Sequence, residues 1–202
     1  MIALIDYGVG NLFSLRSSLS AVGENAVVTG DAEVIKRADK LILPGVGAFS
    51  DAAKKLRESG LDKVIINEAK NGKALLGICL GMQLLFEKSY EYGEHEGLAL
   101  IKGGVKPIAD IIPHDLKIPH IGWNALIFKK QTPIFKYIKD GDHVYFVHSY
   151  HASDCEENVT AVTEYGAYLT ASVQNGNVYG CQFHPEKSGD VGLKILKAFL
   201  EL

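Results

Sequence analysis

The sequence predicts an α/β protein with a central, mostly parallel sheet, helices on both faces, and an added region of antiparallel strands. In the first half of the 202 residues, short apolar runs alternate with segments of helical spacing, an order typical of parallel sheets. In the second half, strand-like runs follow one another directly, and Asn175-Gly176 between two of them indicates a tight hairpin.

The elements of the first half follow from periodicity and from Gly and Pro positions. Leu12, Leu15, Leu19 and Val22, for example, recur at helical spacing. Strands are predicted at 1–6, 25–29, 40–43 and 74–78, and helices at 11–22, 31–37, 48–58, 61–70 and 80–86. Gly60 is expected to separate the two helices on either side of it.

The second half is predicted to be richer in strands and to end in an amphipathic helix. The strands are 121–128, 143–148, 159–163, 169–174 and 177–183, and the final helix is 190–200. Repeats, linkers and low-complexity tracts are lacking, so residues 1–202 are expected to form one domain.

Composition narrows the function classes. A hydrophobic content of 47% with 22% charged residues is ordinary for a globular protein with a full core. A net charge of −3 gives no electrostatic reason to expect nucleic acid or an anionic membrane as a partner. Apolar runs fall short of the ~18 residues of a membrane span, and the first residues lack the features of a signal peptide. Three cysteines without a CxxC pair suit a reducing compartment, so a cytoplasmic location is expected.

A cysteine between two glycines marks the candidate nucleophile. Gly77-Ile78-Cys79-Leu80-Gly81 follows a predicted buried strand and opens a predicted helix, which is the nucleophile elbow pattern with Cys in place of Ser. Glycines are needed because a neighbouring Cβ would clash in so sharp a turn. The helix start favours a thiolate, and the Leu80 amide is placed to donate to an oxyanion. The simpler alternative is that Cys79 is a small buried hydrophobe.

A base and its orienting group are predicted just after the last strand, in His184-Pro185-Glu186. Pro185 favours extended geometry at His184, and side chains two residues apart in an extended segment point to the same side. Glu186 is then able to hold the His184 ring, although a polar turn is the alternative for so short a motif. The remaining histidines lack the spacing of a metal site, and dinucleotide and Walker patterns are lacking, so neither metal nor cofactor is expected.

Three segments together resemble the class I, or triad, glutamine amidotransferases: Pro44-Gly45-Val46-Gly47, Gly77–Gln83 and His184-Pro185-Glu186. Their order and separation match along almost the whole chain, which implies that family's fold. Further segments are similar to the glutaminase subunits of imidazole glycerol phosphate synthase. They are Asp6–Leu12, Leu43–Phe49, Pro119–Asn124 and Tyr145–Tyr150.

The resemblance implies hydrolysis of the side-chain amide of L-glutamine. Cys79 would attack the amide carbon, His184 would pass the thiol proton to the leaving ammonia, and Glu186 would orient His184. The oxyanion would be held by amides of Val46, Gly47 and Leu80. The residues implied in binding glutamine are Gly45, Gln83, Glu91, Ser149 and Tyr150.

The resemblance also implies a heterodimer with a (β/α)8-barrel cyclase of the HisF type. That partner would receive the ammonia and convert PRFAR to imidazole glycerol phosphate and AICAR in histidine biosynthesis. The residues implied at this interface are Asn11, Pro119, Trp123, Tyr145 and Lys187. His151 stands where relatives often carry Arg, and Ser149 stands where Thr is common. By the same resemblance, both differences would affect how glutaminase activity is kept low until the partner has bound its ligand.

Three alternatives remain open from the sequence. A paralogue with the same chemistry would supply ammonia for nucleotide-sugar amidation in surface polysaccharide synthesis. A catalytically silent subunit would only activate a partner, but the complete set of Cys79, His184 and Glu186 argues against it. A cysteine hydrolase with another substrate is disfavoured by Gln83 and the Pro-Gly-Val-Gly segment.

Overall fold

The computed structural model describes residues 1–202 and contains fourteen strands and six α-helices. The strands are β1 (Ile2–Ile5), β2 (Val27–Thr29), β3 (Lys40–Leu43), β4 (Ala74–Ile78), β5 (Phe86–Ser89), β6 (His95–Glu96), β7 (Ile101–Pro107), β8 (His120–Ala125), β9 (Ile127–Phe128), β10 (His143–His148), β11 (Tyr150–Ser153), β12 (Val159–Glu164), β13 (Tyr168–Asn175) and β14 (Val178–Cys181). The helices are α1 (Leu12–Ala21), α2 (Ala32–Arg37), α3 (Phe49–Glu58), α4 (Leu61–Lys70), α5 (Leu80–Gln83) and α6 (Gly189–Leu200). Short 3-10 helices cover Ile108–Asp110, Pro133–Phe135 and Pro185–Lys187.

The main sheet has eight strands in the order β2-β1-β3-β4-β14-β13-β12-β9. The first five of these run parallel, and β13, β12 and β9 continue the sheet with antiparallel pairing. The predicted parallel half and its antiparallel extension are therefore confirmed. Because β14 lies directly beside β4 and parallel to it, the segments after Ile78 and after Cys181 leave the same edge of the sheet.

The hairpin between β13 and β14 is confirmed, with its turn one residue later than predicted. Asn175 pairs with Val178, so Gly176 and Asn177 form the two-residue loop. Gly176 has φ of 56°, a left-handed conformation that glycine adopts without strain.

The helices lie on both faces of the main sheet, as predicted. In β1, Ala3 and Ile5 pack in the core beneath α3 and α4, while Ile2 and Leu4 pack in the core beneath α1 and α6. This alternation is the two-residue period of a strand buried on both sides. Each helix is too short or too polar to cross a membrane.

Two smaller sheets cover the carboxyl edge of the main sheet. One pairs β8 with β10, and the other has four strands in the order β11-β7-β5-β6. The four-stranded sheet was not predicted, because β5, β6 and β11 are only two to four residues long and β7 is interrupted by Gly103-Gly104. The prediction of one continuous strand at 121–128 is wrong. The strand is interrupted at the fully buried Leu126. As a result, β8 pairs with β10, whereas β9 pairs with β12 in the main sheet.

The helix predicted at 80–86 is also wrong at its end. Only Leu80–Gln83 is helical, and Phe86 begins β5 by pairing with Ile101. Leu84, Leu85 and Phe86 are completely buried, so this run has no polar face of the kind that distinguishes a surface helix from other buried structure. The pairing of Phe86 with β7 makes this residue part of a strand rather than of a helix.

Candidate active site

The backbone at Cys79 forms the predicted sharp turn between β4 and α5. Cys79 has φ of 55° and ψ of −114°, a conformation that side chains other than glycine rarely adopt. The turn is held because the Cys79 amide donates to the carbonyl of Cys181 on β14 at 2.7 Å. A Cβ on Gly77 would lie 2.7 Å from the Gly81 carbonyl oxygen, and one on Gly81 would overlap the Leu43 carbonyl. Both glycines are therefore required by close packing.

His184 and Glu186 are brought to Cys79 from the segment that follows β14. Nδ1 of His184 lies 2.8 Å from Oε1 of Glu186, and both side chains are at least 96% buried. Because a carboxylate only accepts, Nδ1 carries the proton, and the other ring nitrogen is left available on the cavity side, where Cys79 also lies. The His184 amide donates to the Tyr145 carbonyl at 2.9 Å, which ties this segment to β10.

The charge state of His184 follows from its neighbours. Burial lowers the pKa of His184, but hydrogen bonds and charge interactions with Cys79 and Glu186 outweigh burial and raise the pKa to about 10. The ring is therefore an imidazolium at neutral pH. A cationic neighbour of this kind is what a cysteine nucleophile generally requires, because the positive charge favours the reactive thiolate.

A cavity of about 550 Å³ opens above Cys79. It contains ten of the predicted site residues, namely Val46, Gly47, Cys79, Leu80, Gln83, Glu91, Pro119, Ser149, Tyr150 and His184. Gly45, Glu186 and Asn11 lie outside it and line a much smaller neighbouring cavity that also borders His184. Cys79, the predicted nucleophile, thus borders a cavity large enough for a small substrate.

The Pro44–Gly47 segment lies against the start of α5. A Cβ on Gly45 would lie 2.8 Å from the Gly81 amide nitrogen, so the two backbones touch. The Tyr7 hydroxyl donates to the Pro44 carbonyl at 2.8 Å. Beyond this anchor Val46 is exposed, and Gly47 adopts φ of 94°. The segment is thus anchored at its beginning and borders the cavity at its end.

Three elements meet at the remaining walls of the cavity. Nε2 of Gln83 donates to the Tyr150 carbonyl at 3.2 Å, and the Ser149 carbonyl accepts from the Ile108 amide at 3.0 Å. The carboxylate of Glu91 accepts from the Phe49 amide at the start of α3. Glu91 is therefore fixed beside the Pro44–Gly47 segment although it lies in a loop between β5 and β6.

Trp123, Tyr145 and Lys187 form an exposed group, named here the rim cluster. The rings of Trp123 and Tyr145 pack edge to face with centroids 6.1 Å apart, and Nζ of Lys187 lies 5.8 Å from the centre of the Tyr145 ring. Trp123 is 53% exposed, and Ile121, two residues earlier on the same face of β8, is 57% exposed. The structure thus brings together three of the five residues predicted at an interface.

Gln182 and Tyr92 are among the residues of the site that the sequence analysis did not predict. Gln182 is completely buried, and its Nε2 lies 3.8 Å from Sγ of Cys79. Its position two residues before His184 was the available signal, because alternate residues of an extended segment share a side. Tyr92 borders the cavity and packs edge to face with Tyr150, with centroids 6.5 Å apart, but its loop position gave no signal.

The other two cysteines are unsuited to nucleophilic attack. Burial, with smaller contributions from Glu156 and Asp154, raises the pKa of Cys155 to about 11. Cys181 is completely buried, and burial raises its pKa as well. Both thiols therefore remain protonated at neutral pH.

The comparison with known families agrees with the geometry. Residues 3–202 match the model of the family "Glutamine amidotransferase class-I". Among solved structures, "Crystal structure of glutamine amidotransferase" has a TM-score of 0.78 at 22% identity, covering 100% of this chain and 98% of that chain. "Structure of PurLQS from Thermotoga maritima" has a TM-score of 0.77 at 22% identity, covering 99% and 97%. The chain belongs to the class I glutamine amidotransferases and has their fold.

Sequence relatives define the family more narrowly. "Imidazole glycerol phosphate synthase subunit HisH" of Caldanaerobacter subterraneus subsp. tengcongensis is 54% identical over 100% of this chain and 98% of its own length. The protein of that name in Aquifex aeolicus is 52% identical over 97% of this chain and 94% of its own length. The chain belongs to the HisH family of imidazole glycerol phosphate synthase subunits.

Proposed function

We propose that the chain is the glutaminase subunit of imidazole glycerol phosphate synthase, folded as one domain over residues 1–202. It hydrolyses glutamine to glutamate and ammonia. The observation that carries this proposal is the position of Cys79 at a strained turn, bordering the same cavity as His184 of a buried His184–Glu186 pair.

The reaction begins with the thiolate of Cys79 attacking the side-chain amide carbon of glutamine. The His184 imidazolium gives its proton to the amide nitrogen, so that ammonia leaves and a thioester remains. The neutral ring then takes a proton from water, whose oxygen attacks the thioester carbon. Glutamate is released, and the proton held by His184 restores the imidazolium paired with the Cys79 thiolate. Glu186 holds the ring in one orientation throughout.

Negative charge that develops on the amide oxygen needs nearby N–H donors. The Leu80 amide at the start of α5 is one candidate, and the amides of Val46 and Gly47 on the opposing segment are the others. Gly47 and Gly45 flank Val46, so the Val46 peptide is free to turn toward the cavity. Gly45, Gln83, Glu91, Ser149 and Tyr150 surround the remainder of the substrate, and Glu91 supplies the negative charge for its amino group.

Ammonia released into water would be protonated, so a partner must take it up directly. We propose a (β/α)8-barrel cyclase of the HisF type, bound through the rim cluster together with Asn11 and Pro119, in the cytoplasm. The exposed Trp123 and the Lys187 cation fit a protein interface, in which aromatic residues provide much of the binding energy. That partner would use the ammonia to convert PRFAR to imidazole glycerol phosphate and AICAR.

The test mixes the purified chain with a HisF-type cyclase and measures glutamate release with and without PRFAR. Stimulation by cyclase plus PRFAR, and its loss in the Cys79→Ala variant, is the expected result. Glutamine hydrolysis that the cyclase and PRFAR leave unchanged would contradict the histidine-pathway assignment and favour nucleotide-sugar amidation. Undiminished hydrolysis by Cys79→Ala would contradict the glutaminase mechanism itself.

A further inference from the structure

The side chain of Gln182 contacts the sulfur of Cys79 from the protein interior. Gln182 follows β14, and its amide donates to the Ala171 carbonyl on β13 at 2.9 Å, so its backbone belongs to the sheet rather than to a loop. The side chain is completely buried, and Nε2 is 3.8 Å from Sγ of Cys79. Hydrogen bonds to sulfur are longer than those to oxygen, so this distance is a contact between a donor and the reacting atom.

The orientation of the Gln182 amide is determined by a short chain of hydrogen bonds. The Tyr150 carbonyl can only accept, so the Gln83 side chain must present its NH₂ group there, at 3.2 Å. The second N–H of that group donates to Oε1 of Gln182 at 3.0 Å. Because Oε1 of Gln182 is engaged by Gln83, its NH₂ group is the end that faces Cys79.

This orientation favours one protonation state of Cys79. The Gln182 N–H makes a stronger hydrogen bond to a thiolate than to a thiol, because a thiol sulfur is only a weak acceptor. A thiol would gain in return only its own weak S–H bond to the Val147 carbonyl, 4.0 Å away. The titratable groups that interact with the sulfur are His184 at the cavity and Tyr7 beneath it, and Glu186 lies behind His184. Gln182 is therefore a neutral donor that acts in addition to these groups.

We propose that Gln182 is a positioning residue that holds the Cys79 sulfur as a thiolate, and that Gln83 and the Tyr150 carbonyl fix the Gln182 amide in its donating orientation. This inference rests on the proposed function of Cys79 as the nucleophile. Gln182 would then act on the Cys79 sulfur in addition to His184 and Tyr7. Gln83 would orient Gln182 besides contacting the substrate.

The test is the pH dependence of Cys79 alkylation by iodoacetamide, in the full chain without substrate. Gln182→Met keeps the side-chain length but removes the donor. We expect its alkylation rate to fall about tenfold at pH 6 and to approach the wild-type rate at high pH, where every thiol is ionised. A change in packing alone would instead alter the limiting rate at high pH.

Two further variants complete the experiment. Gln83→Met breaks the orienting chain and should shift the profile in the same direction by a smaller amount. Gln174→Met is the matched control, because its amide donates to the Gly176 carbonyl on the hairpin and should leave the profile unchanged. Coincidence of the Gln182→Met and wild-type profiles would overturn the inference. If thermal unfolding shows that Gln182→Met does not fold, an unshifted profile for Gln83→Met overturns it.

Cys79→Ala separates this inference from the proposed function. Alkylation and glutamine hydrolysis that both disappear in Cys79→Ala, together with an unshifted Gln182→Met profile, would refute only the role of Gln182. Glutamine hydrolysis that persists in Cys79→Ala would refute the proposed function.

Discussion

The proposed triad and the rim cluster differ in how the chain holds their side chains. Cys79 and His184 are 8% and 3% exposed, and each has a hydrogen-bond partner inside the protein, whereas Trp123 is 53% exposed and packs against the side of Tyr145. Groups that react must be oriented before substrate arrives, because reorganisation during the reaction raises the barrier. Groups that bind a partner reach their final packing when it docks.

The two regions are nevertheless joined through one strand. The Tyr145 carbonyl accepts the His184 amide at 2.9 Å, and the Tyr145 amide donates to Oγ of Ser188, which in turn donates to the His184 carbonyl at 2.6 Å. A partner that moves Tyr145 therefore pulls on the backbone that carries His184. The exposed region is positioned to influence the buried one although their side chains do not touch.

The largest expected effect comes from removing the nucleophile in the buried region. Cys79→Ala should lower glutamine-dependent turnover by more than about 10³-fold, because no other group can form the thioester. Turnover of the cyclase complex with ammonium salts should remain, since the rim cluster is unchanged. Both rates are measured as product formation from PRFAR, and loss of the ammonia-dependent rate would mean that the variant disturbs more than the chemistry.

The next effect is loss of the base. His184→Ala should reduce the glutaminase rate by roughly 10²-fold or more, the scale expected for general acid–base catalysis. His143→Ala is the matched control, because that ring is exposed at the start of β10. Steady-state glutamate release with near-normal activity in His184→Ala would contradict the role assigned to His184.

A smaller effect is expected in the exposed region. Trp123→Ala should weaken binding of the cyclase by about 2 kcal/mol, or roughly 30-fold, as for a central interface aromatic. The thermal stability of the free chain should hardly change, because the side chain is half exposed. Calorimetric titration measures the affinity, and Tyr137→Ala, near the carboxyl end of α6, is the control. Equal affinities for the two variants would place the interface elsewhere.

The smallest effect is a shift in one titration. The pKa of His184, raised to about 10 mainly by Cys79 and Glu186 against the opposing effect of burial, should fall in Glu186→Gln. A raised pKa means that the ring keeps its proton as the pH rises, so the variant ring should lose its proton at lower pH than the wild-type ring. Imidazole NMR signals report this titration, with Glu201→Gln as a distant control. An unchanged His184 titration would show that the carboxylate does not support the imidazolium.

The sequence predicted best those elements whose bounds are determined by their own residues. β3, β4, α4 and β10 have the bounds predicted for them, since each is a continuous apolar or periodic run closed by Gly, Pro or a polar turn. The glycines on either side of Cys79 likewise predicted a sharp turn without reference to distant parts of the chain. Gln182, β7 and β11 were missed because their roles depend on neighbours far away in the chain.

The order of residues alone therefore specifies an α/β protein with a cysteine at a strand-to-helix turn and a histidine–glutamate pair in a later extended segment. Tertiary structure decided that α5 stops at Gln83, that four short strands form a sheet beside the cavity, and that Gln182 faces the sulfur. The physical reason is that backbone turns are governed by adjacent residues, whereas strand pairing and side-chain hydrogen bonds require groups that only folding brings within a few ångströms.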